Sequence, residues 1–241
     1  MLRAYVLAGG LGTRLRSRLG ILPKVLAPFG DGTFLDVQLD WLAACGVNEA
    51  ILALGVRAEP VIARVRTRAA EAIPKVSWTV DPVPLGTGGA LALAARDERR
   101  SFLAINGDTL AELDLVALLD LHEASGAWVT LACYRVGDAS AGGWVEMDDE
   151  GRVSAFREKA GGGKAWVSGG VCLCEPEVLA AIPKGRPSSL ETDVLPALLA
   201  AGRPVRALRC RGRFYDIGTP EGLERAEREW RPGERGVQGG P

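Results

Sequence analysis

Residues 9–24 have the sequence GGLGTRLRSRLGILPK, which is the most informative segment of the chain for its fold. It follows a short apolar run at residues 4–8 that has the length and composition of a buried β-strand. Its glycines allow a tight turn with positive φ and an open backbone that a polyanion can approach closely. The residues after the glycines have a helical pattern, so the turn leads to a helix N-terminus, where free N–H groups and the dipole favour phosphate.

The stretch differs from the two commonest phosphate-binding motifs. A Gly-x-Gly-x-x-Gly motif that began at Gly10 would need a glycine at position 15, where Leu15 stands. The stretch also lacks the Gly-Lys-Ser/Thr ending of the phosphate loop. It contains instead a Gly-Gly-x-Gly-Thr-Arg-Leu turn and, after Arg14, a Pro-Lys pair that ends in Lys24. A glycine-rich turn with solvated arginines is the alternative interpretation.

Strand and helix patterns alternate over the first half of the chain. Strands are expected at residues 5–8, 50–54, 76–80, 102–105 and 128–134, with helical patterns between them. This order predicts an α/β fold with a Rossmann-like, mostly parallel sheet and helices on both faces. Because ligands of such sheets gather at the carboxyl ends of the strands, the glycine turn and the residues after the fourth strand should meet at one edge.

The second half has the pattern of an appended, small, β-rich lobe. A hairpin is expected at residues 144–156, and further strands at 164–174, 205–210 and 214–217. Ser188 and Glu191 have the spacing of a capping box that opens a helix.

The chain is therefore expected to form one domain over residues 1–230. Its first part would end at about residue 135, and the lobe would occupy about 136–230. Residues 231–241 contain Gly, Pro and Arg without periodicity and are expected to be a disordered tail.

Composition excludes several classes of protein. The formal net charge is −1, which does not indicate a nucleic-acid or membrane partner, and no apolar run reaches the ~18 residues of a membrane span. The five cysteines are an odd number without Cys-x-x-Cys spacing, which argues against a disulfide framework or a zinc site and fits the cytoplasm. The single histidine, His122, is expected at the surface or in packing. The chemistry must therefore come from Asp, Glu, Lys and Arg.

Three further motifs lie next to predicted strands. The sequence NGD at residues 106–108 directly follows a strand, PLGTGGA at 84–90 joins a strand to a helix, and REK at 157–159 follows the hairpin. An acidic residue at a strand end suits a metal ion, and a glycine-rich backbone can lie against a flat base. Singly, the motifs could equally be a strand-end turn, a closely packed helix entry and a solvated charge cluster.

Together with YDIGTP at residues 215–220, these motifs resemble the sugar-1-phosphate nucleotidylyltransferase family, in the family's order, over about residues 3–225. The resemblance implies transfer of a nucleoside monophosphate from an NTP to a sugar 1-phosphate, and it allows a homo-oligomer. It also makes residues 1–135 the nucleotide-binding part and the lobe the sugar-binding part. The chain is shorter than members that carry a C-terminal β-helix, so no such domain is expected.

The resemblance also implies roles for individual residues. The catalytic residues would be Arg14, Lys24, Asp108 and Asp216. Mg²⁺ would bind to Asp108 and Asp216, which suits its preference for carboxylates and phosphate oxygens. The nucleotide would contact Leu7, Ala8, Gly9, Gly10, Gly12, Thr13, Leu85, Gly86, Thr87 and Gly107. The sugar phosphate would contact Gly143, Glu158, Lys159, Ser168 and Gly170.

Three segments look most like the heptose 1-phosphate guanylyltransferases within that family: RLRS at 14–17, LGTGGA at 85–90 and SLETDVLP at 189–196. This implies GTP and a mannose or manno-heptose 1-phosphate. Ser17, Ala160 and Ser168 depart from the family's usual Pro, Pro and Asn, and the last two leave the sugar open.

Three alternatives remain. The first is UTP or dTTP with a glucose-type or amino-sugar 1-phosphate. The second is a non-catalytic nucleotide sensor, and the third is a transferase with a phosphocholine-type or molybdopterin-type acceptor.

Overall fold

The computed structural model describes residues 2–10, 12–68, 72–137, 143–157 and 164–231. The expectations for Glu158, Lys159, Ala160 and residues 232–241 lie outside the described residues. The strands are β1 (Arg3–Leu7), β2 (Pro28–Phe29), β3 (Gly32–Thr33), β4 (Glu49–Leu54), β5 (Lys75–Val80), β6 (Phe102–Asn106), β7 (Thr109–Ala111), β8 (Val129–Val136), β9 (Trp144–Met147), β10 (Val153–Arg157), β11 (Ala165–Cys174), β12 (Val205–Cys210) and β13 (Phe214–Asp216).

The helices lie mainly between the strands of the first half. They are α1 (Arg16–Leu19), α2 (Phe34–Ala44), α3 (Ala58–Arg66), α4 (Gly86–Ala94), α5 (Leu115–Ser125), α6 (Leu195–Ala200) and α7 (Pro220–Glu229). Short 3₁₀ helices occur at Thr13–Leu15, Lys24–Leu26 and Pro176–Ala181, and a π-helix at Leu190–Val194 directly precedes α6. No helix in the described ranges is both long and apolar enough to cross a lipid bilayer.

A central sheet of seven strands has the order β12-β8-β11-β6-β1-β4-β5. The pairs β6–β1, β1–β4, β4–β5 and β12–β8 are parallel, and β11 is antiparallel to both of its neighbours. This confirms the predicted mostly parallel sheet. Two strands of the second half, β11 and β12, belong to this sheet, while β9–β10 and β7–β13 form small separate sheets.

Both faces of the inner parallel strands β1, β4 and β6 are largely buried, as expected for strands covered by helices. Ala4 and Val6 of β1 belong to one apolar cluster that includes Leu39 of α2. Tyr5 and Leu7, which point to the opposite face because side chains alternate along a strand, belong to a second cluster. The core therefore holds the carboxyl end of β1 rigidly at the edge where the glycine turn begins.

The predicted Ser188–Glu191 capping box is wrong by one residue. The hydroxyl of Ser189 accepts the N–H of Thr192 at 3.1 Å, and the N–H of Ser189 donates to the carboxylate of Asp193 at 2.7 Å. The wider π turn moves the reciprocal partner from the third residue to the fourth. Glu191 is consequently not used as a cap.

His122 and the two free cysteines of β11 are packed in the protein interior. His122 is 5 % exposed, with Nδ1 at 2.8 Å from the hydroxyl of Thr130 and Nε2 at 2.9 Å from Glu175. Cys172 and Cys174 are buried on one face of β11, with their sulfurs 3.6 Å apart. These side chains are therefore buried away from the edge of the sheet where the parallel strands end.

Candidate active site

A cavity of about 400 Å³ lies at the carboxyl ends of the parallel strands. Its lining includes the predicted nucleotide residues Leu7, Ala8, Gly9, Gly10, Leu85, Gly86, Thr87 and Gly107, and also Lys24 and Asp108. The other two predicted nucleotide residues, Gly12 and Thr13, are not in the lining and come two and three residues after Gly10 in the chain. The structure therefore brings three separate sequence motifs to one cavity, at the edge that the strand order predicts.

Glycines let the turns after neighbouring strands approach backbone to backbone. A Cβ at Gly55, after β4, would lie 2.6 Å from the carbonyl oxygen of Gly9, after β1. A Cβ at Gly107, after β6, would lie 2.8 Å from the carbonyl oxygen of Leu7. Gly12 has a φ of 58°, in the left-handed region that glycine adopts readily. Side chains at these points would separate the turns and change the cavity.

The segment after Leu85 is held in place by Ser188. The N–H of Ser188 donates to the carbonyl of Leu85 at 2.9 Å, and its carbonyl accepts the N–H of Gly88 at 2.8 Å. The hydroxyl of Thr87 accepts the N–H of Leu190 at 2.8 Å. These bonds fix the start of α4 as one wall of the cavity.

Two of the predicted catalytic residues form an ion pair. Nζ of Lys24 contacts Oδ2 of Asp108, and both side chains are largely shielded from water. Lys24 begins the 3₁₀ helix that ends the glycine-rich stretch, and Asp108 lies in the turn after β6. Arg14 is exposed. Its charge is one of the smaller effects that oppose the rise in the pKa of Asp216, so Arg14 lies on the side of the site where Asp216 lies.

Strand pairing brings Asp216 to Asp108. Asp216 ends β13 opposite Thr109 of β7, and the N–H of Ile217 donates to the carbonyl of Asp108 at 3.0 Å. Burial and the negative charge of Asp108 raise the pKa of Asp216, although an N–H bond from Gly218 and the charge of Lys24 partly oppose them. The site thus holds two carboxylates close together, and the charge of Asp108 disfavours ionisation of Asp216.

Glu191 is a third carboxylate of this group, and sequence reasoning missed it. Its side chain is open to the cavity, but the surrounding protein removes part of its water and so raises its pKa. The negative charges of Asp108 and Asp216 raise the pKa further, and a 3.3 Å hydrogen bond from the Asn106 amide opposes them. Its position in a Ser-x-x-Glu pattern indicated a cap. The same residue, in the first turn of the π-helix, lines the cavity instead.

Gln38 is a second residue that sequence reasoning missed. Its side chain is fully buried, and Nε2 donates to the carbonyls of Asn106 at 3.0 Å and of Thr109 at 2.8 Å. These carbonyls flank Asp108, so Gln38 fixes the turn that presents the carboxylate. Polar residues inside an amphipathic helix pattern give no sign of such a role.

The carboxylates suit a divalent cation that completes its shell with substrate oxygens. In the described part of the chain, no three acidic, histidine or cysteine side chains converge as a metal site made of protein alone. Mg²⁺ commonly binds through one or two carboxylates, with phosphate oxygens and water as its other ligands. Asp108 and Asp216 lie close together, and a cation bound between them would neutralise their charge.

The described residues of the predicted sugar side lie on β11 and the hairpin. A Cβ at Gly170, whose φ is 70°, would lie 2.7 Å from the hydroxyl of Thr109, which places this glycine against the turn that carries Asp108. Its N–H donates to the hydroxyl of Ser168 at 3.3 Å, within a bulge of β11. Gly143 lies beside Arg157 of the hairpin.

Solved structures share this fold over nearly the whole chain. HddC from Yersinia pseudotuberculosis superposes with a TM-score of 0.84 at 29 % identity, covering 96 % of this chain and 100 % of HddC. HddC in complex with GMP-PN superposes with a TM-score of 0.83.

Curated relatives match most of the chain but are longer. Mannose-1-phosphate guanylyltransferase of Mycobacterium tuberculosis is 37 % identical over 226 residues, which is 92 % of this chain and 62 % of the relative. Mannose-1-phosphate guanyltransferase of Schizosaccharomyces pombe is 33 % identical, over 91 % of this chain and 62 % of the relative. The chain thus spans somewhat under two thirds of the length of these relatives. Residues 3–231 match the family described as Nucleotidyl transferase, and the chain belongs to that family.

Proposed function

We propose that the protein transfers a nucleoside monophosphate from GTP to a sugar 1-phosphate, with release of pyrophosphate. The observation that carries this proposal is the meeting of Asp108 and Lys24 beside a glycine-rich turn in one cavity, with Asp216 held next to Asp108 by backbone pairing. Phosphoryl transfer depends mainly on positioning and on charge neutralisation, and these groups can provide both.

An oxygen of the sugar phosphate attacks the α-phosphorus, and the bond between the α-phosphorus and the pyrophosphate oxygen breaks. The attacking oxygen is already anionic, so the reaction needs no general base. This agrees with the burial of His122 away from the cavity. Arg14 and Lys24 neutralise the triphosphate, and the open backbone after β1 lets it approach closely.

Mg²⁺ is the proposed metal, held by Asp108 and Asp216. Enzymes of the family generally depend on a divalent metal. The bound cation would neutralise charge on the phosphate groups.

D108N and D216N should each lower turnover by orders of magnitude without unfolding the protein. D120N, at an exposed position on α5, is the matched control. Activity within a few-fold of wild type in either site variant would overturn the assignment.

GTP and a manno-configured sugar are proposed from the relatives. The two curated relatives carry the names mannose-1-phosphate guanylyltransferase and guanyltransferase, and HddC binds GMP-PN. The acceptor is mannose 1-phosphate or, by the sequence resemblance, a manno-heptose 1-phosphate. Glu158 would bind a sugar hydroxyl and Lys159 the sugar's phosphate.

A pyrophosphate-release screen tests the proposal. GTP, ATP, UTP, CTP and dTTP at equal concentration are each combined with heptose, mannose and glucose 1-phosphates. We expect turnover with GTP and a manno-configured acceptor. Turnover with UTP or dTTP and glucose 1-phosphate would mean that the proposed type of reaction is right but the proposed substrates are wrong. Binding of GTP without turnover of any pair would indicate a nucleotide sensor.

A single variant tests how the two substrates divide the site. K159A should reduce use of the sugar phosphate more than binding of the NTP. A loss of NTP affinity with normal binding of the sugar phosphate, measured by calorimetry, would mean that the two subsites are assigned in reverse.

A further inference from the structure

Three separate parts of the fold hold the turn after β6, residues 106–109, by its backbone. The N–H of Gly107 donates to the carbonyl of Leu7, at the end of β1, at 3.1 Å. The carbonyl of Asp108 accepts the N–H of Ile217, directly after β13, at 3.0 Å. The third part is α2, which reaches the turn from the core. Bonds to three fixed elements leave this turn less freedom than a loop whose backbone is hydrogen-bonded to water.

The contact from α2 is made by a side chain, that of Gln38, so a substitution can remove it. The amide nitrogen Nε2 carries two N–H groups, and it donates to the carbonyls of Asn106 at 3.0 Å and of Thr109 at 2.8 Å. Gln38 is fully buried, and the other buried residues of α2 are all apolar. The amide therefore extends from a helix packed in the core and fixes the carbonyls on either side of Asp108.

The burial of Gln38 lowers the stability of the fold at one atom. Its Oε1 is buried and accepts no hydrogen bond from any residue that the structure describes. A buried acceptor without a donor costs about 1–3 kcal/mol, because it has lost its water and gained no partner. An amide is thus unfavourable for packing alone, and what it provides here is the fixed position of the turn.

The fixed turn limits how far the two carboxylates can move apart. Asp216 is held against the turn, because β13 pairs with β7 and Asp216 lies opposite Thr109. Mg²⁺ requires oxygen ligands at about 2.0–2.1 Å in a nearly octahedral arrangement, whereas Ca²⁺ accepts ligands at about 2.3–2.6 Å in a more flexible one. Two carboxylates that cannot separate therefore favour the smaller ion.

We propose that Gln38 is a positioning residue that makes the site selective for small divalent cations, Mg²⁺ and Mn²⁺, over Ca²⁺. It acts through the backbone carbonyls of Asn106 and Thr109 and needs no contact with the cation or the substrates. The proposal rests on the proposed function only in requiring that Asp108 and Asp216 hold the cation.

Cation binding by the wild type is the first test, and it needs no substrate. Mn²⁺ alone is titrated against the protein and followed by the electron paramagnetic resonance of the free ion, and Ca²⁺ is then added as a competitor. Mn²⁺ should bind more tightly than Ca²⁺, and D108N should lose the Mn²⁺ site. Equal affinities of the wild type for the two cations would overturn the proposal.

Removal of the two donors should reduce the selectivity. Q38M keeps the length of the side chain without its N–H groups. Because residues that orient metal ligands typically contribute about 10- to 100-fold to metal affinity, Q38M should bind Mn²⁺ at least about tenfold more weakly. Ca²⁺ tolerates a wider site and should lose less affinity, so the ratio of the two affinities should fall.

Two further variants separate this role from a general loss of stability. Q38E keeps one donor, because burial favours its protonated carboxyl, and its affinity ratio should lie between those of the wild type and Q38M. V61A, at a buried residue of α3 in the same apolar cluster as α2, should lower the free energy of unfolding but keep the wild-type ratio.

A lower ratio in Q38M, with an intermediate ratio in Q38E, is a result that a purely structural role of Gln38 would not produce. If Q38M loses both cations by the same factor, or if V61A lowers the ratio as much, the proposal is wrong. If Q38M does not fold, an unchanged ratio in Q38E is the result that overturns it.

The same titrations separate this proposal from the proposed function. Unchanged Mn²⁺ binding in D108N would overturn both the metal site and the role of Gln38. Loss of Mn²⁺ in D108N with an unchanged ratio in Q38M would contradict the role of Gln38 alone. A protein that selects Mn²⁺ through Gln38 but releases no pyrophosphate would contradict the proposed function alone.

Discussion

Lys24 and Asp108 form an ion pair that joins the end of the glycine-rich stretch to the turn after β6. The two side chains are 19 % and 26 % exposed, so water screens the pair only in part. A lysine ammonium is a compact point charge with three donors, and it can contact either a carboxylate or a phosphate oxygen. We therefore expect Lys24 and a divalent cation to compete for Asp108.

Removal of the lysine should separate metal binding from nucleotide binding. K24M should raise the affinity for Mn²⁺ in the absence of nucleotide by about two- to fivefold, the range for a partly exposed ion pair. The same variant should bind NTP more weakly, because the triphosphate loses a positive partner. Calorimetric titrations with each ligand measure both effects. K184M, at an exposed lysine, should change neither. An unchanged Mn²⁺ affinity in K24M would show that the pair does not restrain the carboxylate.

Glu191 should contribute charge to the metal site without being one of the main ligands. E191Q keeps the shape of the side chain but removes one of three neighbouring negative charges. We expect weaker binding of the divalent cation and turnover lowered by about tenfold, less than in D108N, since a lost electrostatic contact of this kind costs about 1–2 kcal/mol. Metal dependence of the initial rate measures this, and E123Q on the exposed face of α5 is the control. Saturation at the same metal concentration as wild type would remove Glu191 from the site.

The strands and the glycine turn could be predicted from sequence because their causes are local. A buried parallel strand is a short apolar run, and a turn that must adopt positive φ needs glycine, as at Gly12. The local sequence pattern does not show which sheet a strand joins. The pattern of β11 and β12 therefore suggested a separate lobe, although both pair with strands of the central sheet.

The candidate site shows the same division. Asp108 and Asp216 could be proposed from sequence because each lies in a recognisable motif at a strand end, and the structure places them close together. Glu191 was missed because Ser-x-x-Glu is also the pattern of a helix cap, and only the π turn at Ser189 decides between the two.

Substitution of Gly86 by alanine should destabilise the protein more than the same substitution at Gly126. Both glycines have positive φ, but only Gly86 also lies in close contact with backbone atoms. Gly86 has a φ of 72°, and a Cβ there would lie 2.4 Å from the carbonyl oxygen of Ser188. Gly126, after α5, has a φ of 59° and no heavy atom within 4 Å of such a Cβ. G126A should therefore lower the free energy of unfolding by about 1–2 kcal/mol, the cost of a left-handed alanine.

G86A adds a clash with the backbone to that cost. We expect a larger loss of stability in urea unfolding and weaker nucleotide binding, because Ser188 holds the wall of the cavity. Equal losses in G86A and G126A would mean that residues 188–190 yield easily and do not fix the start of α4.

The acid stability of the fold should depend on Asp36. Burial alone would raise the pKa of Asp36, but hydrogen bonds from Arg64 and Thr33 outweigh it and hold the pKa below the ordinary value of 3.8. Nε and Nη2 of Arg64 lie 3.1 and 2.8 Å from Oδ2, and the carboxylate also closes the capping box of α2. A carboxyl whose pKa is lower in the folded state contributes stability above its unfolded pKa and loses it as the pH falls through the folded value.

D36N should therefore be less stable than wild type at pH 7, by about 1 kcal/mol, since the amide retains part of the cap but loses the charge. The difference should shrink as the pH falls below 3.8, because the wild-type carboxyl becomes protonated and loses the same charge. Urea unfolding of both proteins at a series of pH values measures the difference directly. Acid also weakens other carboxylates, such as Glu98, whose pKa is likewise lowered, but that loss is common to both proteins and cancels in the comparison. A difference that stays constant between pH 7 and pH 3 would show that Asp36 stabilises α2 through its shape and hydrogen bonds, without a contribution from its charge.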